Sequence, residues 1–182
     1  MNFTFTKKKN FLKIVILGDS GVGKTTLLQQ YLNGKTTGQS KPTIGADFSK
    51  KEILIDNTVV TLQIWDTAGQ EKFQSLGYAF YRGADCCALV YDITNQQSFD
   101  ALSRWRDGFN ENAGPQDPQS FPFVCIGNKL DQESERQVGR ARGEQWAREN
   151  NNMLFYETSA VQGTSVEDAF MEMAKQALKR DA

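Results

Sequence analysis

The sequence predicts an α/β fold: a six-stranded, mostly parallel sheet with one antiparallel edge strand and helices on both faces. Three observations predict it. Short apolar runs alternate with helix-length amphipathic stretches along the chain, which is the pattern of strand–helix–strand units. One pair of strand-like runs is instead joined only by Asp56-Asn57, a two-residue hairpin signal. A complete G-x-x-x-x-G-K-[ST] pattern, Gly18 to Thr25, stands between the first strand-like run and the first helical one. At 182 residues, 39% hydrophobic and 24% charged, the chain has the size and composition of one ordinary globular domain.

The elements follow in order. Residues 1–10 read as an N-terminal tail whose Lys7-Lys8-Lys9 run is a solvated basic patch, and residues 11–180 as the single domain. Leu12 to Leu17 is an apolar strand, and Thr26 to Leu32 the helix after the glycine loop. Phe48 to Ile55 and Thr58 to Trp65 form the hairpin, with Val60, Leu62 and Ile64 alternating with Val59, Thr61 and Gln63. Ala84 to Tyr91 is near-continuously apolar, as a central parallel strand buried on both faces should be. Ser98 to Asn112 reads as a helix, Phe123 to Gly127 as a strand, Arg136 to Asn150 as a helix and Met153 to Tyr156 as the last strand. Val166 to Lys179 closes the domain as a helix, with Val166, Ala169, Phe170, Met173, Ala177 and Leu178 on one face for core packing.

Composition narrows the function. The net charge of −1 gives no electrostatic footprint for nucleic acid. With no histidine, imidazole acid–base catalysis and histidine metal ligation are both removed. Cys86, Cys87 and Cys125 sit in apolar strand-like runs and read as buried thiols of a reducing compartment, with 86 and 87 pointing to opposite faces of a strand. No stretch is apolar and long enough to span a bilayer, and no secretory signal is visible, so a cytosolic location is expected.

The chemistry-bearing residues fall just after strands, where open α/β sheets bind ligands. In Gly18-Asp19-Ser20-Gly21-Val22-Gly23-Lys24-Thr25, with Thr26 following, the glycines let backbone N–H groups turn around an anion at a helix N-terminus. Lys24 can reach β- and γ-phosphate oxygens, and the Thr25 hydroxyl can ligate Mg²⁺. The loop alone does not choose the base. Asn128-Lys129-Leu130-Asp131 does: the Asp131 carboxylate can accept from guanine N1–H and N2–H₂, while adenine would leave it unpaired. The Lys129 stem can lie over the base, and Asn128 can tie this loop to the phosphate loop. Ser159-Ala160, in Thr158-Ser159-Ala160-Val161, can offer the Ala160 N–H to guanine O6. Between these lies Asp66-Thr67-Ala68-Gly69-Gln70. Asp66 can hold Mg²⁺ through a water, Gly69 lets a backbone N–H approach the γ-phosphate, and Gln70 can orient an attacking water. Thr43 puts a further hydroxyl within reach of the metal. Alone, Asp-Thr-Ala-Gly is also a β-turn and Asn-Lys-x-Asp a surface turn; together, in chain order, the motifs read as one site.

At these residues the chain resembles the Ras-like small GTPases and, within them, the Rab family. Ile44-Gly45-Ala46-Asp47-Phe48, Leu62-Gln63-Ile64-Trp65, Phe80-Tyr81-Arg82-Gly83-Ala84 and Leu89-Val90-Tyr91-Asp92-Ile93-Thr94 carry that likeness, which spans about residues 11–178. Glu71 to Gly77, Tyr81 to Cys87 and Asp117 to Phe123 are similar to the late-endosomal and lysosomal subfamily, the "Rab seven" kind. The resemblance implies a P-loop NTPase G domain that binds GTP and GDP with Mg²⁺ and hydrolyses GTP slowly. Lys24 and Gln70 would be the catalytic pair, and segments 34–47 and 66–83 the switches that order around the γ-phosphate. It implies a monomer that recruits effectors for traffic to late endosome, lysosome or phagosome. An exchange factor, a GTPase-activating protein and a dissociation inhibitor would act on it. Ile44, Phe48, Trp65 and Tyr81 would form the effector surface, the three aromatics as a partly exposed cluster.

The chain also departs from the family pattern. Thr36 and Ser40 stand where many relatives carry aromatics, Val161 where a lysine usually follows Ser-Ala, and Gly38 loosens the same loop. These departures predict faster nucleotide release, slowed by Thr36→Phe, unless Tyr31 or Phe11 covers the base instead. The sequence ends Leu178-Lys179-Arg180-Asp181-Ala182 without the terminal prenylation cysteines usual in the family, so either a lipidated tail lies outside this sequence, which is the expectation, or the protein is not lipid-anchored. The chain as it stands is expected to remain in the supernatant with neutral liposomes. With such a tail it would cycle from the cytoplasm to the cytosolic face of late endosomal and lysosomal membranes. Two rival readings stay open from sequence: a GTP-binding scaffold with little hydrolysis, which Gln70 opposes, and an ATP-using enzyme, which Asp131 opposes.

Overall fold

A computed structural model describes residues 10–34, 48–66 and 78–180 of the chain. Six strands form one sheet: β1 (Phe11–Leu17), β2 (Ser49–Ile55), β3 (Thr58–Asp66), β4 (Cys86–Asp92), β5 (Phe123–Asn128) and β6 (Leu154–Glu157). Their spatial order is β2-β3-β1-β4-β5-β6. Only β2 and β3 run antiparallel, with β2 at the edge as the hairpin signal predicts. Asp56 and Asn57 both take positive φ, 48° and 63°, the pairing a tight primed turn requires.

Strand alternation divides the core into two layers. On one face Ile14, Ile16, Cys86, Ala88, Val90, Val124 and Ile126 pack under helices α1 (Lys24–Asn33) and α6 (Val166–Arg180). On the other, Val15, Leu17, Cys87, Leu89, Tyr91, Phe123 and Cys125 meet side chains of the helices between β3 and β6. These are α2 (Tyr78–Tyr81), α3 (Gln96–Asp100), α4 (Leu102–Ala113) and α5 (Arg140–Glu149). Cys86 and Cys87 therefore do face opposite layers, and all three thiols are fully buried.

Three helices start elsewhere than the sequence reading has them. The helix expected over Ser98 to Asn112 starts at Gln96 and breaks at Ala101. Asn95 caps the early start by accepting from the Gln97 and Ser98 N–H groups. The helix expected from Arg136 starts at Arg140, because the Gln137 and Val138 N–H groups instead donate to the Ile93 carbonyl at 2.8 and 3.0 Å. Helix α1 begins at Lys24 rather than Thr26, so the lysine of the glycine loop is itself helical.

Candidate nucleotide site

The glycine loop leaves the carboxyl end of β1 and enters α1. Two of its glycines are required by close approach: a Cβ on Gly18 would stand 2.2 Å from the Val90 carbonyl oxygen, and one on Gly23 2.5 Å from Asn128 Nδ2. The loop is thus wedged between β4 and the end of β5. Lys24 is buried, and its Nζ donates to the Gly18 and Asp19 carbonyls at 2.7 and 2.9 Å, which folds the ammonium back over the loop.

Asn128, at the end of β5, is the joint of the site. Its Nδ2 donates to the Val22 carbonyl at 3.0 Å, across 106 positions of sequence. Its Oδ1 accepts from Thr158 Oγ1 at 3.0 Å and from the Ala160 N–H at 3.3 Å. One buried amide thereby ties the Gly18–Thr25 loop and the Thr158–Ala160 loop to its own, and these buried bonds hold the three together. The loop beyond it turns at Lys129 in a left-handed conformation, φ 72°, and enters the 3₁₀ helix Leu130–Glu135. Asp131 accepts from Ser159 Oγ at 2.7 Å, which aims one carboxylate oxygen at the Ser159 loop. Val161 is 73% exposed.

On the metal side, Thr25 Oγ1 donates to Asp66 Oδ2 at 2.7 Å, although 41 residues separate them. Two oxygen donors converging beside a phosphate loop match the hard-oxygen preference of Mg²⁺, so this pair fits that ion. Thr43, Ile44, Gly69 and Gln70, with Thr36, Gly38 and Ser40, lie outside the described residues.

The aromatic cluster is present in an altered form. Phe48 and Trp65 are partly exposed, with ring centroids 5.2 Å apart, and Lys13 Nζ sits 4.2 Å over Trp65. Tyr81 is not exposed: it retains 5% of its surface and packs edge-on against Phe109, reaching Trp65 only through Phe80. Its position in helix α2, seated against α4, turns the ring inward, and burial pushes the phenol up to about 12. Neither alternative cover for the base is in place. Tyr31 is stacked on Phe170 at 4.0 Å in the core, and Phe11 opens β1, at the opposite end of the strand from the loop.

Some supporting residues escape the sequence reading. Asp92, at the end of β4, pairs with Lys129 Nζ at 3.0 Å and caps Thr94 through its N–H and hydroxyl. Glu157, just before the Thr158–Ala160 loop, holds Arg136 through two bonds, 2.6 and 3.0 Å. The position of Asp92 at the end of a buried strand is a usable signal for the first; no local pattern marks a pair 21 residues apart.

Comparison with known proteins agrees with this geometry. The Ras family profile matches residues 13–179. The chain is 56% identical to "Ras-related protein Rab-7b" of Paramecium octaurelia, over 97% of this chain and 85% of that protein. It is 56% identical to "Ras-related protein Rab-7a" of Dictyostelium discoideum, over 96% of this chain and 86% of that protein. It is also 56% identical to "Ypt/Rab-type GTPase avaA" of Emericella nidulans, over 97% and 86%. With the Gly18–Thr25 loop, Asn128 and Asp131 gathered at one edge of a six-stranded sheet, the chain belongs to the Ras family as a Rab7-like small GTPase, a GTP-hydrolysing switch of membrane traffic.

Proposed function

We propose that this chain cycles between GTP and GDP at the Gly18–Thr25 and Asn128–Asp131 loops, and in its GTP form recruits effectors at late endosomal, lysosomal or phagosomal membranes. The observation that carries the reading is the Asn128 side chain, bonded at once to the phosphate loop and to the Thr158–Ala160 loop. That joint brings the Gly18–Thr25 loop beside the Asn128–Asp131 and Thr158–Ala160 loops, which supports reading them as one site.

Each side chain then has a task. Asp131, oriented by Ser159, accepts from the guanine edge, and the Lys129 stem flanks the base from a backbone set by its left-handed turn. Asn128 holds the two halves of the cleft in register. The Lys24 ammonium exchanges its carbonyl partners for β- and γ-phosphate oxygens and offsets charge that develops there during hydrolysis. Thr25, Thr43 and Asp66 would hold Mg²⁺, which when bound neutralises phosphate charge. Gln70 orients the attacking water; no histidine exists to replace it. Segments 34–47 and 66–83 respond to the γ-phosphate, and Ile44, Phe48 and Trp65 present the changed surface to effectors, with Tyr81 supporting them from beneath. An exchange factor, an activating protein and a dissociation inhibitor would drive the cycle.

Mass spectrometry of nucleotide released on denaturation tests the reading. GDP or GTP is expected, without ATP or ADP; adenine nucleotide would refute it.

A further inference from the structure

Asp19 is a carboxylate inside a loop that holds a polyphosphate, and like charges at that range weaken binding. The structure shows how it is handled. The Asp19 carbonyl faces Lys24 Nζ at 2.9 Å, while its carboxylate points to helix α4. There one oxygen, Oδ1, accepts from Arg104 Nη2 at 3.0 Å and from the Trp105 indole N–H at 2.9 Å. These partners come from a fixed scaffold, since Leu102 and Phe109 of the same helix are fully buried.

We propose that Arg104 and Trp105 form a charge-neutralising clamp on Asp19, and that this clamp sets how long the phosphate loop retains guanine nucleotide. Arg104 supplies the compensating charge and Trp105 the direction. Together they hold the carboxylate away from the phosphates and pin the loop between α1 and α4. Arg104 is a positioning residue: it acts on nucleotide through Asp19. Its side chain is 73% exposed, so its effect is that of a screened ion pair and depends on salt.

The inference rests on the Gly18–Thr25 loop being the phosphate site. The test measures release of fluorescent GDP and GTP analogues, at saturating Mg²⁺, from the parent, R104A, R104K, D19N and the double variant D19N/R104A. Circular dichroism of each checks the fold. R104A is expected to release nucleotide about two- to fivefold faster at low salt, the range of an exposed ion pair. The GTP analogue, carrying more charge, should be affected more. R104K should stay near the parent. The difference should fade at about 1 M salt, where the Debye length is about 3 Å. In the D19N background, R104A should change release little, because no carboxylate remains to neutralise. Unchanged release in R104A, or equal acceleration with and without Asp19, overturns the clamp alone. A parent chain that retains no guanine nucleotide overturns the phosphate-loop reading and the clamp with it.

Discussion

Ser159 Oγ donates to Asp131 Oδ1 at 2.7 Å, joining two loops 28 residues apart in sequence. A carboxylate that must meet two guanine donors gains from being aimed beforehand, because less ordering remains to be done on binding. The Ser159 hydroxyl also accepts from the Gln162 N–H at 3.1 Å, so the same atom shapes the turn that carries Ala160.

Ser159→Ala should therefore weaken GDP and GTP binding by about fivefold, the value of one hydrogen bond of about 1 kcal/mol. Asp131→Ala should do more and remove the preference for guanine over adenine. Equilibrium titration with fluorescent guanine and adenine nucleotides checks both; full guanine preference in Asp131→Ala would exclude Asp131 as the reader of the base.

Gln70→Leu should lower GTP hydrolysis, most of all the activator-stimulated rate, and leave GTP binding intact. The unstimulated rate of a relative is on the order of 10⁻⁴ s⁻¹, so the stimulated reaction is the sensitive one. Single-turnover phosphate release, with more than one activating protein, checks this. A variant as fast as the parent with every activator would place water orientation elsewhere, such as on a glutamine the activator itself supplies.

Phe48→Ala should weaken GTP-dependent partner binding while sparing the fold. Phe48 is partly exposed and touches Trp65 at one side of the cluster. Trp65→Ala is the poorer probe, because Trp65 also packs edge-on against buried Phe80 and lies under Lys13. Thermal melts together with titration of partners that distinguish the GTP form decide it. Unchanged affinity for all of them would remove Phe48 from the effector surface.

Stability should fall above about pH 8.5, the ordinary thiol pKa. Burial raises the pKa of Cys86, Cys87 and Cys125 alike, so the folded thiols stay protonated where unfolded ones ionise. The unfolded state then binds fewer protons, and each thiol contributes up to about 1.4 kcal/mol of destabilisation per pH unit. Below that pH their contribution is fully present. Urea midpoints from pH 7 to 10 measure the slope, and thiol-reactive dye should label the cysteines only after unfolding. Rapid labelling of the native protein would contradict their burial.

Much of the candidate site was legible because its motifs are local. Gly18 to Thr25 supplies its own turn, anion-facing amides and lysine within eight positions, and the strand before it and helix after it follow from hydrophobic period. Asn128 and Asp131 stood out as candidates because a carboxylate shortly after a strand suits guanine recognition. The Asp56-Asn57 turn determined that one strand pair would be antiparallel. Helix boundaries were less legible, because Asn95 and the Ile93 carbonyl decide them through individual hydrogen bonds that hydrophobic period does not encode.

Sequence by itself thus determined the fold class and the Gly18–Thr25 glycine loop, and through Asn128 to Asp131 it favoured guanine over adenine, since these signals lie in short stretches of the chain. Only the tertiary structure decided which distant groups meet. Asn128 reaches Val22 because β5 and β1 flank β4 in one sheet and end at the same edge. Tyr81 is buried because α2 packs on α4. Asp19 finds Arg104 and Trp105 because α4 crosses beside the loop. Contacts across such separations are set by the packing of whole elements, and no spacing along the chain records them.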